Sequence, residues 1–252
     1  MITQDTIKTL TVRHQTSELN IIREYFQHLF LSQFYALEGA ENILFKGGTA
    51  LRIIYGSPRF SEDLDFSIFN IEQHQQKKFI EDLFTKVLSE IEKIGIKVEI
   101  GPKPGTTVEG YYGDATFKLY DYQVVGVEIN ISSRNGRKVS GEVDSVANDF
   151  VPTYNLYHLP QTELIEEKIF DALLKRKKAR DFYDLYFIMR KGLLELGQKK
   201  RLANERNIIE SEATKVDFKS ELSALLPKDQ QDITKDFKQT LINELRRQLN
   251  GF

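Results

Sequence analysis

The chain's 252 residues, 40% hydrophobic and 29% charged, describe an ordinary globular protein, built as one large domain or a core with an appendage. The sequence has no cysteine, which excludes disulfides, thiolate metal sites and a cysteine nucleophile. A formal net charge of −2 leaves nucleic-acid partners open. No run approaches the ~18 apolar residues of a membrane helix and no signal-like apolar core opens the chain, so a cytoplasmic protein with no membrane partner is expected.

Residues 1–15 alternate loosely and give no firm reading. From Ser17 onward, Ile21, Ile22, Tyr25, Phe26, Leu29 and Phe30 recur at helical spacing, with Thr16 and Ser17 as cap candidates. Ile43 to Phe45 reads as the end of a buried strand. Gly47 and Gly48 then allow a sharp turn that brings bare backbone N–H groups near a ligand. Thr49 is placed to cap a short helix, Ala50 to Tyr55, whose N-terminal end suits an anion such as phosphate.

After Gly56-Ser57-Pro58 a second strand begins near Asp63. Alternation puts Asp63, Asp65 and Ser67 on one face and Leu64, Phe66 and Ile68 on the other. Neighbouring carboxylates repel unless a cation lies between them. An oxygen pair of this kind suits Mg²⁺ (or Mn²⁺), which keeps several waters and takes substrate phosphates as further ligands. A phosphate cradle and a divalent-metal clamp are the parts phosphoryl-type transfer needs most.

A polar stretch over 70–78 leads into an amphipathic helix expected to bury Phe79, Leu83, Val87, Leu88, Ile91 and Ile94, with Gly95 as its stop. Ile96 to Ile100 reads as a strand broken by Gly101-Pro102-Lys103-Pro104-Gly105. Ala115 to Tyr120 and Val124 to Ser132 read as two more strands joined near Asp121 to Gln123. In the last of these Glu128 points away from the apolar face. It is either a third metal carboxylate or an ordinary solvent-facing strand residue.

Asn148 to Pro160, with two prolines, marks a boundary between a mixed α/β half over 1–150 and a helical half over 151–252. One helix is expected from Pro160 to about Lys175 and another from about Ala179 to Leu194. A last helix repeats Ile233, Phe237, Leu241, Leu245 and Leu249, after a break at Pro227. Residues 175–206 hold eleven Lys/Arg and four Asp/Glu, a balance of +7. This is either a phosphate-backbone patch, beginning with Lys175, Arg176, Lys177, Lys178 and Arg180, or a solvated helix surface. His14, His28, His74 and His158 show no ligand spacing.

Lys46-Gly47-Gly48-Thr49-Ala50-Leu51 with Arg59-Phe60-Ser61-Glu62-Asp63-Leu64-Asp65-Phe66 resembles the AbiEii/AbiGii toxin family of nucleotidyltransferases, in the DNA polymerase β-like superfamily. Thr162 to Leu173 with Arg180-Asp181-Phe182-Tyr183-Asp184-Leu185 resembles the helical half of that family. The resemblance implies an α+β fold: a polymerase β-like core with a mixed sheet flanked by helices, then a C-terminal helical domain completing the active site. It implies Asp63 and Asp65 as metal ligands, with Glu128 as a third candidate. Lys46, Gly47, Gly48 and Thr49 would hold the triphosphate, and Ser61 would touch phosphate or be a modification site. Lys168 would be a triphosphate cation, with Asp181 or Asp184 near the transferred group or acting as a base.

Arg180 and Asp184 also fit a plain i,i+4 surface pair, and Lys168 a solvated surface lysine. The activity implied is transfer of a nucleoside monophosphate from an NTP to RNA, especially the 3′ end of tRNA. Growth arrest would follow, in a type IV-like toxin–antitoxin pair with a cognate antitoxin. A small-molecule or protein side-chain acceptor, or nucleotide binding without turnover, remain alternatives.

Overall fold

Helix α1 (Gln4–Arg13) starts where the Thr3 hydroxyl accepts the Thr6 N–H at 3.1 Å, in the segment whose sequence gives no firm reading. The computed structural model describes residues 1–100, 105–107, 110–133 and 139–251. The expected break over Gly101 to Gly105 falls mostly outside the described residues. Ser17 caps α2 (Glu18–Phe34) by accepting the Asn20 N–H at 3.3 Å. Next come β1 (Ile43–Lys46), α3 (Gly47–Ile53), β2 (Leu64–Ile68) and α4 (Gln73–Lys93). Gly95, at φ +84°, follows α4 and ends it. The buried positions of α4 include Ile80 and Phe84 in place of the expected Phe79 and Ile94, and Ile94 is largely exposed.

The strands that follow are β3 (Lys97–Ile100), β4 (Gly105–Thr107), β5 (Gly110–Lys118), β6 (Val125–Ser133), β7 (Glu142–Val146) and β8 (Tyr154–His158). Among the described residues they join β1 and β2 in one eight-stranded mixed sheet in the order β3-β5-β6-β2-β1-β8-β7, with β4 also paired to β5. Strand β2 runs antiparallel to β1 and parallel to β6, and β1 runs parallel to β8. One face is apolar and covered by α2 and α4. Phe26 stacks on Phe117 at 4.4 Å between ring centroids, Phe34 lies 5.6 Å from Phe66, and Phe84 lies 5.7 Å from Tyr111. The chain thereby leaves the other sheet face to its polar residues.

Two compact units make up the chain: residues 1–56 with 60–159, and residues 57–59 with 160–252. The second unit is helical. It runs from α5 (Gln161–Glu166) through a π-helical stretch (Glu167–Leu173) into α6 (Leu174–Arg176). It continues with α7 (Ala179–Lys191), α8 (Leu196–Ala213), α9 (Phe218–Leu222), a 3₁₀ segment (Lys228–Lys235) and α10 (Phe237–Leu249). Its core joins Phe182, Tyr183, Phe218 and Phe237, the last two with ring centroids 4.8 Å apart. The apolar repeat Phe237, Leu241, Leu245 and Leu249 is buried, and α10 packs on α7 and α8 as its spacing requires. Among the described residues no helix is long and apolar enough to cross a membrane.

Candidate active site

The diglycine turn and the Asp-x-Asp strand meet because β1 and β2 are antiparallel neighbours in which Lys46 pairs with Asp65. Gly47 follows at once, with φ +85°. A Cβ there would lie 2.3 Å from Asp65 Oδ2. Backbone conformation and space therefore both demand glycine at this position. Helix α3 begins at Gly47 itself, with Lys46 as its N-cap and no side-chain cap, so Thr49 is not the expected cap. Thr49 is instead fully buried, and its hydroxyl donates to the Asp63 carbonyl, tying the helix to the start of the acidic strand. Ser61 sits just upstream, half-buried, and its carbonyl accepts from Gln27 Nε2 at 3.0 Å.

Asp65 heads a row of register partners across the polar face: Lys46 on β1, Asp65 on β2, Asn130 on β6, Tyr112 on β5. Asn130 Nδ2 donates to Asp65 Oδ1 at 3.3 Å, and Lys46 Nζ reaches over β2 to Ser132 Oγ at 2.9 Å. Asp63 and Asp65 are both half-buried. Ser67, predicted to share their face, is fully buried. Glu128 is exposed two residues before Asn130 and opposite Asp114.

Hydrogen bonding to Asp114 and partial desolvation raise the Tyr112 phenol to about 12, and the charges of Glu128, Asp114 and Asp63 push the same way. Asp114, which accepts from the phenol at 2.8 Å, has Glu128 as its cross-strand partner. The donor set fits Mg²⁺, which takes one or two carboxylates and completes its octahedron with water and substrate phosphates. Among the described residues no group of three or more His, Cys, Asp or Glu forms an all-protein cage.

In the helical unit, Lys168 lies in the π-helical stretch and its Nζ meets Asp184 Oδ2 at 2.6 Å. Arg59 clamps the same carboxylate with Nε at 2.9 Å and Nη2 at 3.0 Å. Burial alone would raise the Asp184 carboxyl, but Arg59 and Lys168 hold it below its ordinary value. Asp184 is therefore an ionised anchor for two cations, Arg59 and Lys168. Asp181, equally buried, accepts the Lys178 N–H at 3.3 Å at the start of α7 and pairs with Arg176 at 2.5 Å. Asp181 and Asp184 are thus both enclosed and cation-bound. Lys168 is likewise buried and paired, so it is no solvated surface lysine.

The basic run is largely spent on local pairs: Lys175 with Asp171 at 3.3 Å, Arg176 with Asp181, Lys177 with Glu212 at 3.5 Å. Lys178 is the exposed N-cap of α7, and Arg180 is half-buried.

The family model for the nucleotidyl transferase AbiEii toxin of type IV toxin–antitoxin systems matches residues 29–249. The chain belongs to the AbiEii family. Two solved Helicobacter pylori structures share the fold: JHP933, 23% identical over 93% of this chain and 97% of its own with a TM-score of 0.61, and a protein described as a candidate nucleotidyltransferase, 23% identical over 92% and 98% with a TM-score of 0.60. No curated protein matches. AbiEii membership makes the chain a nucleotidyltransferase toxin and implies an NTP substrate and a cognate antitoxin. Tyr112 and Asn130 escape a reading by motif and are visible only through strand register, whereas Arg59 lies in a motif but its partner stands 125 residues away in sequence.

Proposed function

We propose that this AbiEii protein transfers a nucleoside monophosphate from an NTP to an RNA acceptor, the 3′ end of tRNA in particular, in a Mg²⁺-dependent reaction that stops translation and growth. The observation that carries the reading is the Gly47–Asp65 approach, which brings a turn of bare N–H groups against a carboxylate pair suited to magnesium. Asp63 and Asp65 would hold the ion, which when bound neutralises charge on the triphosphate. Thr49 fixes Asp63 through its carbonyl, and Asn130 fixes Asp65. The backbone of Gly47 and Gly48 cradles the β- and γ-phosphates. The acceptor oxygen bonds to the α-phosphorus as the α–β bridging P–O bond breaks. Pyrophosphate leaves with that electron pair, and the hydroxyl proton passes to solvent.

Incubation with each labelled NTP, Mg²⁺ and total RNA is expected to label RNA, and the label to vanish after RNase. Asp63→Ala and Asp65→Ala should each abolish transfer while leaving the circular dichroism spectrum unchanged. Full activity in both variants refutes the metal assignment. A second reading, transfer to a small molecule or protein side chain, is favoured by the local pairing of Lys175, Arg176 and Lys177, which leaves less charge for a phosphate backbone. RNase-resistant label on a protein band would establish it.

A further inference from the structure

The row on the polar sheet face has a direction. Lys46 and the Gly47–Gly48 turn stand at its β1 end, Asp65 next on β2, then Asn130 on β6 and Tyr112 on β5. Two inter-strand spacings, about 10 Å, separate Asp65 from Tyr112. In phosphoryl-type transfer the attacking and leaving oxygens lie roughly in line on opposite sides of the phosphorus. With pyrophosphate held at the diglycine turn and the α-phosphate at the carboxylates, the attacking hydroxyl comes from the β6–β5 side. The acceptor must therefore lie over Asn130 and Tyr112.

Tyr112 is built for an aromatic contact. Its ring is half-buried, and its phenol donates to Asp114 Oδ1 at 2.8 Å, which fixes the ring in place before a ligand arrives. Its register partner on β4 is Gly105. Asp114 and Glu128, cross-strand neighbours beside it, would repel a phosphodiester. They tolerate a terminal nucleoside, whose uncharged 2′,3′-diol can donate hydrogen bonds to carboxylates.

We propose that Tyr112, with Asp114, forms the acceptor subsite and takes the 3′-terminal ribonucleoside of an RNA, the ring stacking on its base. This inference rests on the transfer reaction proposed above. Base–aromatic stacking of the kind that single-strand binders use would make Tyr112 the principal contact.

A short RNA ending in 3′-terminal 2-aminopurine tests it through quenching of the fluorescent base. Wild type is expected to quench and bind, and Tyr112→Phe, which keeps the ring but loses its tie to Asp114, to quench and bind a few-fold more weakly. Tyr112→Leu should lose the quench and bind about tenfold more weakly. The same RNA carrying a 3′-phosphate should bind wild type more weakly than the diol-ended one. Equal quenching and affinity in all three proteins overturns the subsite, as does absence of binding to wild type.

In the transfer assay Tyr112→Leu should raise KM for RNA and leave KM for the NTP unchanged. A rise in the NTP KM instead assigns the ring to the incoming nucleotide and overturns the proposal. The two levels separate cleanly. Tyr112-dependent quenching without transfer by wild type rejects the reaction and keeps the subsite. RNA labelling that is indifferent to Tyr112→Leu keeps the reaction and rejects the subsite.

Discussion

Asp63 and Asp65 in the sheet unit and Asp181 and Asp184 in the helical unit are the same chemical groups in opposite settings. The first pair sits half-buried on a polar face, beside a turn whose glycine is pressed against Asp65. The second pair is sealed, each carboxylate bound to cations of its own unit. A sealed ion pair recovers its desolvation cost only through its partners and so acts on shape. Half-buried carboxylates side by side retain access to a cation from outside, as the proposed metal role requires. Substituting one pair should therefore read out in stability, the other in activity.

The largest expected effect tests the sealed side. Asp184→Asn leaves Arg59 and Lys168 facing a neutral amide, which should cost about 3–5 kcal/mol in urea unfolding. An Asp65→Asn control should stay within about 1 kcal/mol of wild type. If both variants unfold alike, the contrast fails. Because the Asp184 carboxyl is held below its ordinary value, its stabilisation is present above about pH 4 and is lost as pH falls through the lower folded value.

The sheet unit has a sealed ioniser of its own, which sharpens the comparison. His28 is a buried residue of α2, with Nδ1 2.9 Å from Tyr154 Oη. Burial drives its pKa down to about 4, against the pull of Glu24 and aided by Arg52. The folded protein thus favours the neutral ring. Its contribution is complete above the unfolded value of about 6.5 and falls away as pH drops toward 4, by about 3 kcal/mol in all. Urea midpoints at pH 7.5 and 4.5 should diverge in wild type and converge in His28→Gln. An unchanged divergence in the variant would remove His28 as its source.

The smallest expected loss of stability, the Asp65→Asn control aside, belongs to the turn. Gly47→Ala adds a methyl at φ +85° and against Asp65, for about 1–3 kcal/mol by thermal melt. NMP transfer should nonetheless fall as far as in Asp65→Ala, since the same carboxylate is displaced. A folded, fully active Gly47→Ala would separate the turn from the chemistry.

The sequence alone discloses those parts whose chemistry is local. The diglycine turn, the Asp-x-Asp alternation, the Ser17 cap and the α10 stripe each follow from residues within a few positions of one another. Strand β8 is illegible because Tyr154–His158 lies in a proline-marked stretch that reads as a boundary, and its pairing with β1 comes from over a hundred residues upstream. The same limit hides Arg59 as partner of Asp184, since i,i+4 spacing offers Arg180 first. The role of Thr49 is hidden differently. A hydroxyl after two glycines looks like a cap or a phosphate contact, and only burial shows it spent on the Asp63 carbonyl.

Residues 57–59 are counted with the helical unit although the chain on both sides of them belongs to the sheet unit. During synthesis, Arg59 emerges long before the carboxylate it grips, and a fragment ending at Leu159 lacks Asp184. A break between the units would therefore part this guanidinium from that carboxylate.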